Sequence, residues 1–302
     1  MAYTKHFKLK EQPFSSNPDP RFFYLTDQHK TAIDKSMFVA DQKLGLGLTY
    51  GSPGTGKTSM SRILYQKFAD SQDFKTVMLA DPGYKTDNRM LRAIIHEFDV
   101  GKTQKAMDDS LLIFQKFLEK TVYKEGKTCL LIVDHGERMK EELYALLSDL
   151  LELRKDDERL LQVLVFGRHD VRDKLADPRS KNLDIKVASS SSLEPMSFND
   201  MVSQISFRFS VAGLSDQPFT DEALKELFIK SKGVPRAVNR LADKALYEAL
   251  MADKTVIDRD IIHRAEQVLG LTPLNIVLQD NETLPKKKTG KRGRPPVKPK
   301  RA

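Results

Sequence analysis

Four short apolar runs punctuate the chain: Leu44-Gly-Leu-Gly-Leu-Thr-Tyr50, Phe74-Lys-Thr-Val-Met-Leu-Ala80, Thr128-Cys-Leu-Leu-Ile-Val133 and Leu160-Leu-Gln-Val-Leu-Val-Phe166. Each is short and apolar enough to predict a strand buried on both faces. Between them, apolar residues recur at helical spacing. Helices are predicted over Asp27 to Gln42, Met60 to Phe68, Asn88 to Phe98, Lys105 to Tyr123 and Glu141 to Arg154. In the fourth of these, Leu111, Leu112, Phe114, Phe117 and Leu118 form the expected buried stripe. Strands alternating with helices at this spacing imply right-handed parallel crossovers, and so a three-layer α/β domain with a parallel sheet over residues 43–196.

The pattern changes from Ser197 onward. Phe198 to Ala212, Thr220 to Ser231, Pro235 to Ala252 and Asp258 to Leu269 all read as helices, and Thr220-Asp-Glu-Ala looks like an N-cap followed by acids in the first turn. A helical lid is expected over 197–272. Upstream, residues 7–25 mix prolines with aromatics and suit an extended segment pinned by ring packing, within an N-terminal portion 1–42 that ends in the first helix. Residues 273–302 carry no packable pattern and are expected to be disordered.

A chain of 302 residues has room for one large or two small domains with a real core. The longest apolar stretch of the central region, Cys129 to Val133, falls far short of the roughly 20 residues of a membrane helix. Met1 to Lys10 has no apolar signal core, so a cytoplasmic protein without a membrane is expected. The single cysteine, Cys129, sits in a strand-like run and reads as a small core residue.

Candidate chemistry begins directly after the first predicted strand, at Gly51-Ser-Pro-Gly-Thr-Gly-Lys-Thr58. This is a complete G-x-x-x-x-G-K-[ST] loop, and it is followed by Ser59 and a helix-like stretch. Glycines let successive backbone N–H groups point inward at β- and γ-phosphates, and the helix behind adds its partial positive N-terminus. Gly51, Ser52, Pro53, Gly54, Thr55, Gly56, Lys57, Thr58 and Ser59 are therefore the candidate phosphate-binding residues. Lys57 is placed to reach the β/γ-phosphates and the Thr58 hydroxyl to ligate Mg²⁺. The third strand ends in a carboxylate, Asp134, suited to holding the Mg²⁺ water shell from the next strand.

The chain resembles AAA+ ATPases of the ExeA and transposition-regulator type, which group secretion-assembly ATPases with Mu B-like and TnsC-like target selectors. The resemblance runs from about Phe7 to Leu269. It rests on Phe7-Lys-Leu, Pro13-Phe14, Pro18-Asp-Pro-Arg-Phe22, His29, the phosphate loop, Val133-Asp134, Gly167 and Gly233-Val-Pro-Arg236. It implies a P-loop AAA+ fold and ATP rather than GTP, with adenine near the N-terminal segment and lid. It also implies a homo-oligomer with ATP sites at subunit interfaces. By the same resemblance Arg236 is the lid arginine that contacts the γ-phosphate, and Arg168 stands where a polar γ-phosphate sensor is expected. The departures concern turnover. Asp134 is followed by His135 where the family has glutamate, leaving Glu137 or His135 itself to replace the water-activating base. ATP acting mainly as an assembly switch stays open beside hydrolysis. The arginine inserted by a neighbouring subunit is not evident, and Lys186 is only a weak stand-in.

Charge is concentrated at the far end. Nine of the lysines and arginines fall within residues 283–302, one more than the whole formal net charge of +8, so the remainder is close to neutral. Lys291, Arg292, Gly293, Arg294 and Pro295 look like an AT-hook, an extended core narrow enough for an A·T-rich minor groove. A plain polybasic tail or a membrane-surface tail is the alternative. The expected activity is an ATPase that assembles on duplex DNA and regulates transposition or recombination with a transposase or recombinase partner. The alternatives are assembly of a secretion or envelope machine, and a replication or repair loader.

Overall fold

The computed structural model describes residues 2–15, 19–101 and 106–270. After a one-turn α1 (Ala2–His6), the chain runs through α2 (Asp27–Asp41), β1 (Leu46–Gly51), α3 (Lys57–Ala69), β2 (Phe74–Leu79), α4 (Asp87–Glu97) and α5 (Met107–Tyr123). It continues with β3 (Thr128–Val133), α6 (Glu141–Leu151), the two-residue strands β4 (Arg154–Lys155) and β5 (Glu158–Arg159), β6 (Leu161–Gly167), α7 (Asp170–Ala176) and β7 (Val187–Leu193). Four helices follow: α8 (Phe198–Val211), α9 (Asp221–Ser231), α10 (Pro235–Met251) and α11 (Arg259–Leu269).

The main sheet is parallel, in the order β2-β3-β6-β1-β7. Alternation along each strand divides its side chains between two cores, because successive residues point to opposite faces. Cys129, Leu131 and Val133 of β3, with Val163 and Val165 of β6, pack against α4, α5, α6 and α7. Leu130, Ile132, Leu164 and Phe166 pack on the other face, against Ala32 and Val39 of α2 and Met60, Leu64 and Phe68 of α3. The result is the expected three-layer α/β arrangement. Within the first core, burial pushes the Cys129 thiol up to about 12.

A third core contains no strand. Met201, Ile205 and Phe209 of α8, Leu224 and Leu227 of α9, Val238 and Leu241 of α10 and Ile261 and Ile262 of α11 are buried together. Tyr3, Phe7, Leu9, Phe14 and Phe22 complete it, so the N-terminal segment packs as part of the helical body. Phe14 meets Phe209 edge-on, with ring centroids 5.6 Å apart. Among its described residues, apart from α1 and a 3-10 turn at Pro20–Phe22, this segment is irregular, as its prolines require.

Two expectations are corrected and one strand is added. Leu112 is half exposed while Phe114 and Leu118 are buried, because about 100° per residue carries position 112 off the stripe formed by 111, 114 and 118. Helix α6 stops at Leu151, since Arg154 begins a hairpin whose turn, Asp156-Asp157, has positive φ at both residues. β7 has no apolar signature at all: Val-Ala-Ser-Ser-Ser-Ser-Leu is a serine-rich edge strand held by backbone pairing to β1. Residues 273–302 lie outside the described residues.

Leu131 sits at the centre of β3, fully buried. Leu131→Ala is expected to lower unfolding free energy by about 2–5 kcal/mol, read as a reduced urea midpoint with unchanged slope.

Candidate nucleotide site

Parallel registration brings the candidate residues to one edge. Tyr50 pairs with Gly167, Gly51 with Leu193, and Val133 with Val165, so β1, β3, β6 and β7 finish at a common level. The loop after β1 emerges there, and the chain next crosses to β2 beyond β6 and β3, making this a topological switch point. In open parallel sheets the crevice at such a point is where ligands bind. A cleft of about 1170 Å³ occupies it, bounded by the phosphate loop, the ends of β3 and β6, the N-terminal segment, α8 and α10.

The loop turns into α3 through Gly56, whose φ of 104° belongs to the left-handed region that favours glycine. A Cβ there would lie 2.9 Å from His29 Nε2 and 3.1 Å from the Phe23 ring. Lys57 Nζ donates to the carbonyls of Gly51 at 2.9 Å and Ser52 at 2.7 Å. Burial pulls the Lys57 ammonium down to about 8, with Glu137 and Asp134 opposing that fall and Arg168 adding to it. A desolvated cation among inward-facing amides fits an anion, whose charge would reverse the penalty. Thr58 and Asp134 both line the cleft, and their hydroxyl and carboxylate oxygens suit Mg²⁺ once phosphate oxygens join them.

The β3 end departs most from the resemblance. Asp134 is buried and accepts a hydrogen bond from the His135 N–H at 2.9 Å. His135 takes a left-handed conformation, φ 54°, and starts a 3-10 turn, Gly136–Arg138, that brings Glu137 back toward the loop. Only 13% of the Glu137 side chain is exposed. One of its oxygens accepts from the Arg168 backbone N–H at 3.2 Å, while the other lies 3.6 Å from Arg168 Nε and 3.3 Å from His135 Nδ1. Lys174 Nζ donates to the Glu137 carbonyl and to that of Met139, pinning the turn. The two candidate bases and Arg168 thus form one cluster. Arg168 precedes α7 by two residues, so its guanidinium is available to Glu137.

Arg236 stands near the start of α10, after Pro235 at the first position. Its N–H donates to the Gly54 carbonyl at 3.2 Å, a direct backbone tie between lid and phosphate loop. Lys186 is placed elsewhere. It precedes β7 at the N-terminal ends of the strands, where its Nζ bonds the Ser148 carbonyl at 3.1 Å and Glu152 at 2.5 Å. Lys291, Arg292, Gly293, Arg294 and Pro295 lie outside the described residues. The sequence reading missed the Glu137–Arg168 pairing, which joins two loops 31 positions apart. It also gave His29 no task. A histidine three residues after a helix-starting Thr-Asp carried no signal of its contact with the loop.

The chain is similar to several known proteins. The family described as "AAA domain" matches residues 40–175. General secretion pathway protein A of Aeromonas hydrophila is 29% identical over 272 residues, covering 89% of this chain and 49% of its own. The chain therefore spans about half the length of the curated relative it matches. The Aeropyrum pernix ORC2 protein, in ADPNP-ADP complexes, superposes with a TM-score of 0.63 at 14% identity, covering 86% of this chain and 71% of that one. Drosophila ORC bound to DNA gives 0.63 at 16% identity, with 88% and 65% coverage. The Thermotoga maritima RuvB Holliday junction branch migration motor gives 0.52 at 16% identity, with 80% and 69% coverage. The fold is that of AAA+ P-loop domains, which bind nucleotides.

Lys57→Ala removes the only ammonium bonded into the phosphate loop among the described residues. Titration with a fluorescent ATP analogue is expected to show at least about a hundredfold weaker binding, as for loss of a charged, desolvated contact.

Proposed function

We propose that the protein is an ATPase whose nucleotide state sets its assembly on duplex DNA, acting as a regulator or target selector in transposition or recombination. The observation that carries the ATPase part is the joining of four groups from separate elements around one loop: Lys57, Asp134, the Glu137–Arg168 pair and the Arg236 backbone tie. ATP with Mg²⁺ would supply the scissile phosphoanhydride and the charge that polarises it.

The loop amides and Lys57 would bind and orient phosphate oxygens, and Thr58 and Asp134 would hold the metal. Glu137 takes the role of base. It is largely buried and held by the Arg168 N–H, so its carboxylate is fixed rather than swinging in solvent. His135, 3.3 Å away, orients Glu137, and Arg168 beside it serves as the γ-phosphate sensor. Arg236 reads the same phosphate from the lid, because any movement of Gly54 is transmitted directly through the hydrogen bond to its N–H.

The DNA part rests on the basic segment around Lys291 to Pro295 and on the fold shared with ORC bound to DNA and the RuvB branch migration motor. A homo-oligomer with interfacial ATP sites belongs to the same proposal. The second reading, assembly of a secretion machine, is favoured by the 29% identity to general secretion pathway protein A.

Glu137→Gln is expected to lower ATP turnover by about 10²–10⁴-fold while Kd for ATP stays within threefold. Equal loss in His135→Ala with little in Glu137→Gln would give the base role to the histidine. Duplex binding by the full chain and by a chain ending at Leu284, each with ATP, ADP or no nucleotide, tests the DNA reading. ATP-strengthened binding by the shorter chain is expected. Binding by the tail alone, indifferent to nucleotide, would move the secretion reading ahead.

A further inference from the structure

His29, on the first turn of α2, is 2% exposed, lies against the phosphate loop and, with Phe23, forms part of the wall of the cleft beside it. Its Nε2 is 2.8 Å from the Thr55 carbonyl oxygen. A carbonyl only accepts, so Nε2 carries the proton and donates. Nδ1 must then be the acceptor, and the Thr26 hydroxyl, 2.6 Å away and equally buried, donates to it. Thr26 occupies the N-cap position of α2 but makes no capping hydrogen bond, so its hydroxyl serves the imidazole instead. Burial pushes the His29 pKa down, opposed by the hydrogen bond to Thr55 and the charge of Asp200, and a neutral ring has the one donor and one acceptor used here.

The consequence follows from peptide planarity. In a trans peptide the C=O and the next N–H point in opposite directions, and no cis bond occurs among the described residues. Holding the Thr55 carbonyl toward α2 therefore turns the Gly56 N–H away from the imidazole, toward the opposite side of the loop. The imidazole touches the loop directly, because its Nε2 and the Phe23 ring fill the space where a Gly56 Cβ would stand. Phe23 in turn meets His29 edge-on, with ring centroids 5.3 Å apart. A second loop bond, Thr55 Oγ1 to the Ser52 carbonyl at 2.9 Å, holds the same residue from within.

We propose that His29 is a positioning residue of the nucleotide site: by drawing the Thr55 carbonyl outward it presents the Gly56 N–H to the bound phosphates. The inference rests on the nucleotide-site reading above. It makes the N-terminal segment part of the anion-binding apparatus, since Phe23, Thr26 and His29 all precede the strand that carries the loop.

The test compares Mg-ATP binding by the full chain in wild type, His29→Leu and His29→Gln, using isothermal titration calorimetry, with melting temperatures measured alongside. Leucine keeps apolar bulk and removes the donor. Glutamine returns an N–H near the Nε2 position. His29→Leu is expected to bind about tenfold more weakly, the effect of one ordinary hydrogen bond, and His29→Gln to recover to within threefold of wild type. Wild-type affinity in His29→Leu, or no recovery in a stably folded His29→Gln, overturns the inference while leaving the nucleotide site intact. Wild type that fails to bind ATP removes both. Should His29→Leu not fold, ¹⁵N-histidine spectra of the wild type decide: the Nε2–H tautomer is expected at neutral pH, and the Nδ1–H tautomer overturns the assignment.

Discussion

The parallel register of the central strands is the constraint from which the rest follows. Because β1, β3 and β6 run parallel and their C-terminal ends lie within about three residues of one another in register, three loops that are distant in sequence emerge at the same edge. A parallel sheet buried on both faces leaves that edge as the place where polar groups can gather without breaking the core. Lys57, Asp134, Glu137 and Arg168 all reach the cleft from loops or turns a few residues past a strand end. The packing below them is apolar and close, with Leu131, Val133, Val163 and Val165 fully buried, so the platform is rigid where positioning matters.

The helical body closes the site from the other side and does so through the backbone. Arg236 and Gly54 are tied by a main-chain hydrogen bond, and the N-terminal segment is buried in the same helical core. The helical body and the N-terminal residues buried in it are therefore one packed unit, which meets the loop at Gly54 through Arg236 and Val234. Arg208 is the cation inside this unit. It donates to the Pro13 carbonyl at 2.7 Å and lies over the Phe14 and Phe22 rings. Burial pulls its guanidinium down to about 10.

The turn after β3 shows how a departure from a familiar pattern can be absorbed locally. With His135 in the left-handed region the chain doubles back at once, and the carboxylate that sequence spacing puts two residues too far along returns to the cleft. Gly167 makes room for it: a Cβ there would lie 3.2 Å from a Glu137 carboxylate oxygen and 2.3 Å from Val171. Asp134, His135, Glu137 and Arg168 consequently behave as one electrostatic cluster rather than as a motif with one residue exchanged.

Much of this was legible from residue pattern alone. The apolar runs of β1, β2, β3 and β6, the glycine-rich loop and the carboxylate ending β3 carry their signals within a few residues, because period and turn chemistry are local. The three-layer fold follows from them, as does the placement of Asp134 in the same cleft as the loop. What the tertiary structure decided lies where a contact is made between distant segments. β7 is a strand only because β1 offers it a ladder, since its serines supply no apolar face. The pairing of Glu137 with Arg168, the tie from Arg236 to Gly54 and the bond from His29 to Thr55 each depend on backbone direction after folding. A hydrogen bond has no period along the chain, and only the fold brings its two ends together.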